Sequence, residues 1–269
     1  MSSSERVAPG TRIGDYRIEG ERRVEETGVI YDATHLVLPR HAAIKVALGK
    51  SAAVQMLREA CVLEALSHPG VPRVYECGVL PDKRPWVALE AIDGASLATA
   101  TKDTPIAIAD LAMVMRACAD ILAHAHARGV VHHRLDESIV ILTPNRTSPV
   151  CVRGWGHVVA HDSQHAADPS SDILALGALA YRALLRTPVG PGASAQRSCP
   201  EAPADLTKLI DEMLAADPKR RPTAADVSER AEWIAETMEA PRARVSTPTA
   251  GMQPLKRSIT PDVVVRIRG

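Results

Sequence analysis

The chain changes hydrophobic period about a third of the way along. From residue 16 to 48, apolar positions come in short runs, "YRIEG", "GVIYDATHLVL" and "AAIKVAL", separated by charged or turn-prone residues. That pattern predicts antiparallel strands. "VPRVYECGVL" and "PWVALEAI" extend the set. Ahead of these two runs, "SAAVQMLREACVLEALSH" spaces Val54, Leu57, Cys61 and Leu66 as a helical stripe, with Ser51 as N-cap and Pro69-Gly70 as the stop. Beyond Gly94 apolar residues recur every three or four positions. Leu111, Val114, Met115, Cys118, Ile121, Leu122 and Ala125 share one face of a predicted helix that Gly129 closes. "SSDILALGALAYRALL" is apolar nearly all round, with serines at its cap, as a helix inside a helical lobe would be. "PADLTKLIDEMLAAD" and "TAADVSERAEWIAETM" complete that half, the latter opening on a capping box of Thr223 and Asp226.

The expected fold class is α+β in two lobes, a small antiparallel β-rich lobe over 13–93 and a larger helical lobe over 94–240. A flexible lead is expected over 1–12. Residues 241–269 read as a disordered Pro/Thr-rich tail carrying six basic residues against the single acid Asp262. Thr247 and Thr260, each before a proline, are candidate phosphoacceptors there, and the closing "VVVRIR" alternates like an edge strand.

Composition narrows the partner classes. Lys+Arg and Asp+Glu both number 32, so no net charge draws the chain to nucleic acid or an anionic membrane. No run is long and apolar enough for a membrane span, and no signal-peptide core stands at the N-terminus. Cysteines 61, 77, 118, 151 and 199 form no CxxC pair, which points to a reducing compartment, and the expected location is the cytoplasm. Phe is absent, so the core must come from Leu, Ile, Val, Ala and Met. Seven histidines lie between 124 and 165, yet His124 and His126 are two apart on a helix and diverge, so no metal site is expected.

Five landmarks in order resemble the eukaryotic-like Ser/Thr protein kinases of bacteria over residues ~16 to 236. "AAIK" offers Lys45 for the lysine that grips nucleotide phosphates, and "LREA" offers Glu59 as its helix partner. "GVVHHRLDESIVIL" lines up with the family's catalytic loop and "VCVRGWGHV" with its D-F-G segment. "SSDILALGALAY" matches the central helix with Asp172, and "DPKRRPTAADV" the final Arg221-Pro222. The resemblance implies a two-lobed kinase-like fold with a nucleotide pocket bordered by Ala43 and Leu89. It also implies structural roles for His132, Asp172 and Arg221.

The chemistry departs from that pattern. The catalytic-loop Asp, which takes the substrate's hydroxyl proton, is matched by Arg134, a permanent cation. The metal-holding Asn is matched by Ile139 and the D-F-G Asp by Gly154. Of the three phosphate-loop glycines only Gly28 remains, with Arg23 and Glu25 at the other two positions. The segment from Gly156 to Asp172 is shorter than the family's and has no A-P-E. Losing the base alone costs roughly 10²–10⁴-fold in rate.

The expected function is therefore that of a pseudokinase, a catalytically inactive binding module for another protein, such as an active kinase or its substrate. No cofactor and no metal are expected, beyond weak or metal-free ATP binding in a remnant pocket of Lys45, Glu59, Gly28, Ala43 and Leu89. Two alternatives stand beside it. One is a divergent Ser/Thr protein kinase or nucleotidyl-transferase using ATP, with Asp136 or Asp162 holding a metal. The other is a metal-free nucleotide sensor built on Lys45, Arg134 and Arg153.

Overall fold

A computed structural model describes residues 6–157 and 168–239. Asp162, His161, His165 and the tail with Thr247, Thr260 and "VVVRIR" lie outside the described residues. So does most of the shortened segment before Asp172.

The alternating runs form a single antiparallel sheet from β1 (Arg12–Ile13), β2 (Tyr16–Glu25), β3 (Gly28–His35), β4 (His41–Ala47), β5 (Val74–Val79) and β6 (Pro85–Glu90). Its order is β1-β2-β3-β4-β6-β5. Helix α1 (Lys50–Leu66) enters between β4 and β5 and packs on the sheet. Below lies the helical lobe: α2 (Leu97–Ala100), α3 (Ile108–His126), the two-stranded ribbon β7 (Val140–Leu142) and β8 (Val150–Val152), then α4 (Ser170–Leu185), α5 (Ala195–Ser198), α6 (Ala204–Met213) and α7 (Ala224–Glu239). This is the two-lobed architecture that the period change predicts and the protein-kinase-like fold that the resemblance implies. The apolar face of α3 is buried from Leu111 to Ala125. With no Phe to fill the interior, the buried Trp155 packs with the aliphatic side chains of the helical core.

Three local expectations need correction. The stripe Val54, Leu57 and Cys61 faces outward, Val54 being 53% and Leu57 40% exposed. The buried side chains of α1 are Met56, Leu63 and Leu66. The helix carries two apolar stripes about one residue apart, and tertiary contacts choose between them. Glu59 must meet Lys45, and Gln55 Nε2 donates to Gly156 O at 3.2 Å, so the helix is rotated to put Met56 inward. Ser51 is not the N-cap; Gly49 holds that place without a side-chain bond. The serines opening α4 do not cap it either. Asp168 accepts from the Ser170 N–H at 2.9 Å and from its hydroxyl at 2.7 Å, a job for an acceptor at the positive end of a helix. The α7 capping box does form, the Asp226 N–H donating to Thr223 Oγ1 at 3.2 Å and Asp226 Oδ2 accepting from the Thr223 N–H at 2.9 Å.

Gly28 owes its identity to sheet packing. A Cβ there would lie 2.6 Å from Val46 O, a backbone atom that cannot swing aside. Gly28→Ala is expected to cost ~1–3 kcal/mol of unfolding free energy by urea denaturation. An unchanged midpoint would mean that the hairpin relaxes freely.

Candidate functional site: the cleft between the lobes

Lys45 sits in mid-sheet, registered with Ile30 on β3 and Val87 on β6, so its backbone is fixed on both sides. Its residue is 4% exposed. Two carboxylates hold its ammonium: Glu59 Oε2 of α1 at 2.9 Å, and Glu25 Oε2 from the end of β2 at 3.0 Å. Glu25 also accepts from Arg23 Nε at 2.8 Å. Burial alone would depress the Lys45 pKa, but Glu59 and Glu25 outweigh it and hold the ammonium above its ordinary value. Burial likewise works to raise Glu25, and Lys45 with Arg23 pulls it below the usual carboxylate range. The strand register explains the contact, because β2 and β3 turn over Glu25 and Gly28, whose partner across β3 and β4 is Ala47. That places the turn's carboxylate above Lys45.

Ala43 and Leu89 are cross-strand neighbours and line the roof of the cleft with Ile30. The space beneath them is about 60 Å³, with Arg22, Arg23 and Arg153 lying along it. Small-molecule sites run to ~300–1,000 Å³. A neighbouring recess of about 310 Å³ holds Arg134, Ile139 and Gly154, and its wall carries the carboxylates of Glu25, Glu26, Glu59 and Asp136 against the cations Lys45 and Arg134.

The lower wall of the cleft hangs on Asp172. It is fully buried, its Oδ2 accepting from the His132 N–H and its Oδ1 from the His133 N–H, both at 2.8 Å, while His126 Nε2 lies 2.9 Å from Oδ2. Burial works to raise its pKa; the His126 contact and the two backbone donors outweigh that and lower it. His133 has φ 65°, a left-handed conformation that the Asp172 bond holds in place. His132 is buried, its Nε2 2.9 Å from Arg153 O and its ring against Trp155 at 4.7 Å. Arg221 donates from Nη1 to Ser170 O at 3.0 Å and from Nε to Ala215 O at 2.9 Å, tying the start of α7 to α4.

The structure thus brings Lys45 to Glu59 and gathers Arg134, Ile139 and Gly154 around one recess. Arg134 is exposed and Arg153 is half-buried in the cleft floor. Asp136 Oδ1 is occupied by the Ser138 N–H at 2.6 Å and its hydroxyl at 2.5 Å. Gly154 has φ 83°. Among the described residues no three His, Cys, Asp or Glu side chains converge as metal ligands would. Mg²⁺ with ATP fits these residues poorly: Ile139 carries no ligand atom, Gly154 no side chain, and Lys45 is already engaged.

Sequence reasoning missed the Glu25 contact to Lys45 and the role of His126. The signal for the first was a carboxylate at a glycine position of the phosphate loop. For the second there was none, since His126 and Asp172 are far apart in the chain.

No family model matches the chain. Among curated proteins it is similar to the serine/threonine-protein kinase Pkn1 of Myxococcus xanthus, 26% identical over 205 residues, which is 65% of this chain and 29% of that protein. The DNA damage-responsive serine/threonine-protein kinase RqkA of Deinococcus radiodurans is 26% identical over 228 residues, 71% of this chain and 33% of the relative. The serine/threonine-protein kinase PknA of Mycobacterium tuberculosis is 24% identical over 244 residues, covering 76% and 56%. The aligned part spans from 29% to 56% of these relatives' own lengths. Among the described residues no helix is long and apolar enough to cross a membrane. Fold and similarity agree that the chain is a distant homologue of the serine/threonine protein kinases, built on their two-lobed architecture.

Proposed function

We propose that this chain is a catalytically inactive kinase-like domain that works by binding another protein, an active kinase or one of its substrates. The observation that carries this reading is the carboxylate of Glu25 on Lys45. A lysine that grips phosphates must be free to exchange its counter-ion for them. Here a carboxylate of the chain itself stands in the place of the polyanion, with Glu59 on the same ammonium. Arg134 offers no base, the side chains of Ile139 and Gly154 offer no metal ligand, and the space under Ala43 and Leu89 is small for a nucleobase.

The comparisons favour a second reading, an active phosphotransferase, because the relatives named above are all called serine/threonine-protein kinases. Asp136 would then have to leave Ser138 to hold a metal.

Incubation with labelled ATP, Mg²⁺ or Mn²⁺ and a generic protein acceptor separates the two. The expected result is no transfer above the protein-free background. Metal-dependent labelling that disappears in Lys45→Ala would establish the second reading and sink the first.

A further inference from the structure

Away from Lys45, on the cleft floor, charge is less well matched. Arg153 lies between β8 and Gly154 with its Nε buried and, among the described residues, without a hydrogen-bond partner. Its Nη2 reaches Ser138 O at a long 3.4 Å. The two arginines at the end of β2 each have a carboxylate already, Arg22 Nε meeting Asp32 at 2.7 Å and Arg23 Nε meeting Glu25 at 2.8 Å. Burial and the nearby charge of Arg23 pull the Arg153 guanidinium below its ordinary pKa, opposed in part by Glu25. Arginine stays charged in proteins, so a guanidinium with one donor unmet and Nη2 held only at 3.4 Å carries a poorly compensated charge that an oxyanion in the adjoining recess would balance.

Shape indicates what kind of oxyanion. A polar recess of about 370 Å³ opens in front of Arg153, bounded by Arg22, Gly94, Ser96 and Ser138, with Asp93 as the carboxylate on its wall. Behind it the cleft narrows to about 60 Å³. A phosphate group fits at the mouth, and a nucleobase finds no room behind it. Arg22 is exposed and needs only to turn from Asp32 to join Arg153 in a two-guanidinium clamp, which outweighs Asp93 and requires no metal.

We infer that the mouth of the cleft between Arg22 and Arg153 docks a phosphate group carried on a phosphorylated serine or threonine side chain of a partner protein. This rests on the binding reading and gives the partner its chemistry. It also explains how the cleft can serve recognition while Lys45 stays neutralised by Glu25 and Glu59.

The test is isothermal titration of the full chain in EDTA with phosphoserine capped at both ends, and in parallel with AMP. Saturable binding of the capped phosphoserine is expected, weakened about tenfold or more in Arg153→Gln and in Arg22→Gln. Arg22 is exposed, so its variant keeps the fold, which circular dichroism verifies. Absence of saturable binding, or equal affinity in the Arg22→Gln variant, overturns the proposal. AMP binding at least as tightly as the capped phosphoserine overturns it in favour of a metal-free nucleotide site. The titration is independent of phosphotransfer: labelling of an acceptor by ATP would remove the inactive-binder reading without altering this result, and failed titration would leave the labelling assay as it stands.

Discussion

Lys45→Met is expected to lower the unfolding free energy by ~3–5 kcal/mol, the range for removing one partner of a buried ion pair. The substitution leaves Glu59 and Glu25 facing each other across a residue that is 4% exposed, with Arg23 as remaining counter-charge for Glu25 alone. Urea denaturation reads the loss, and neutralising both acids in the same background, Glu25→Gln with Glu59→Gln, should recover most of it. On the inactive reading proposed above, the first consequence of this change is lost stability rather than lost turnover. The pH dependence follows from the two displaced groups. Glu25 is lowered, so its contribution is present above its ordinary value of 4.5 and disappears as pH falls through the lower folded one. Lys45 is raised, so its contribution is present below 10.5 and is lost as pH climbs through the higher folded value. A loss below ~1 kcal/mol, the level of an exposed pair, would show that the triad is solvated and that the cleft is open.

Asp172→Ala should be comparably severe, ~3–5 kcal/mol, seen as a drop of about 10 °C in thermal midpoint for a chain of this size. Truncation strands the His132 and His133 amides, removes the His126 contact and frees the left-handed turn at His133 that precedes Arg134. The folded pKa of Asp172 is depressed, so its stabilisation holds above 3.8 and fades only as pH falls through the lower folded value. Asp172→Asn separates charge from geometry, since an amide oxygen can accept one of the two backbone donors but not both. A midpoint within 2 °C of wild type for Asp172→Ala would show that the turn is held by packing alone.

The resemblance implies an architectural role for Asp172 and a phosphate-gripping one for Lys45, yet the physical argument is the same for each. A buried charge with several partners is costly to break from one side whether or not it ever served catalysis. That is sufficient reason for Lys45, Glu59 and Asp172 to hold their places under either reading of the function.

The two lobes were legible in the residues because hydrophobic period is local. Alternation over 16–48 and three-and-four spacing over 111–125 each specify one element without knowledge of the rest. The residue types at the three aligned positions were equally legible. No arrangement in space turns Arg134 into a base or gives Ile139 and Gly154 a ligand atom, so residue identity alone removes those functions from these three positions. Rotation of α1 was not legible, since Val54 with Leu57 and Met56 with Leu63 describe two equally apolar faces. Only the meeting of Glu59 with Lys45 and of Gln55 with Gly156 selects one.

The same distinction runs through the cleft. Sequence by itself determined which atoms are present: acids at the phosphate loop, arginines on both lobes, a lysine in mid-strand. Tertiary structure alone decided that Glu25 lands on Lys45 and that Arg153 is left on the floor with its Nε buried and, among the described residues, unmet. The reason is physical: a side chain's type sets what it can bond, but its partner is fixed by where elements encoded far apart come to rest. In a low-dielectric cleft a shift of a few ångströms then decides whether a charge is neutralised or left to seek a ligand.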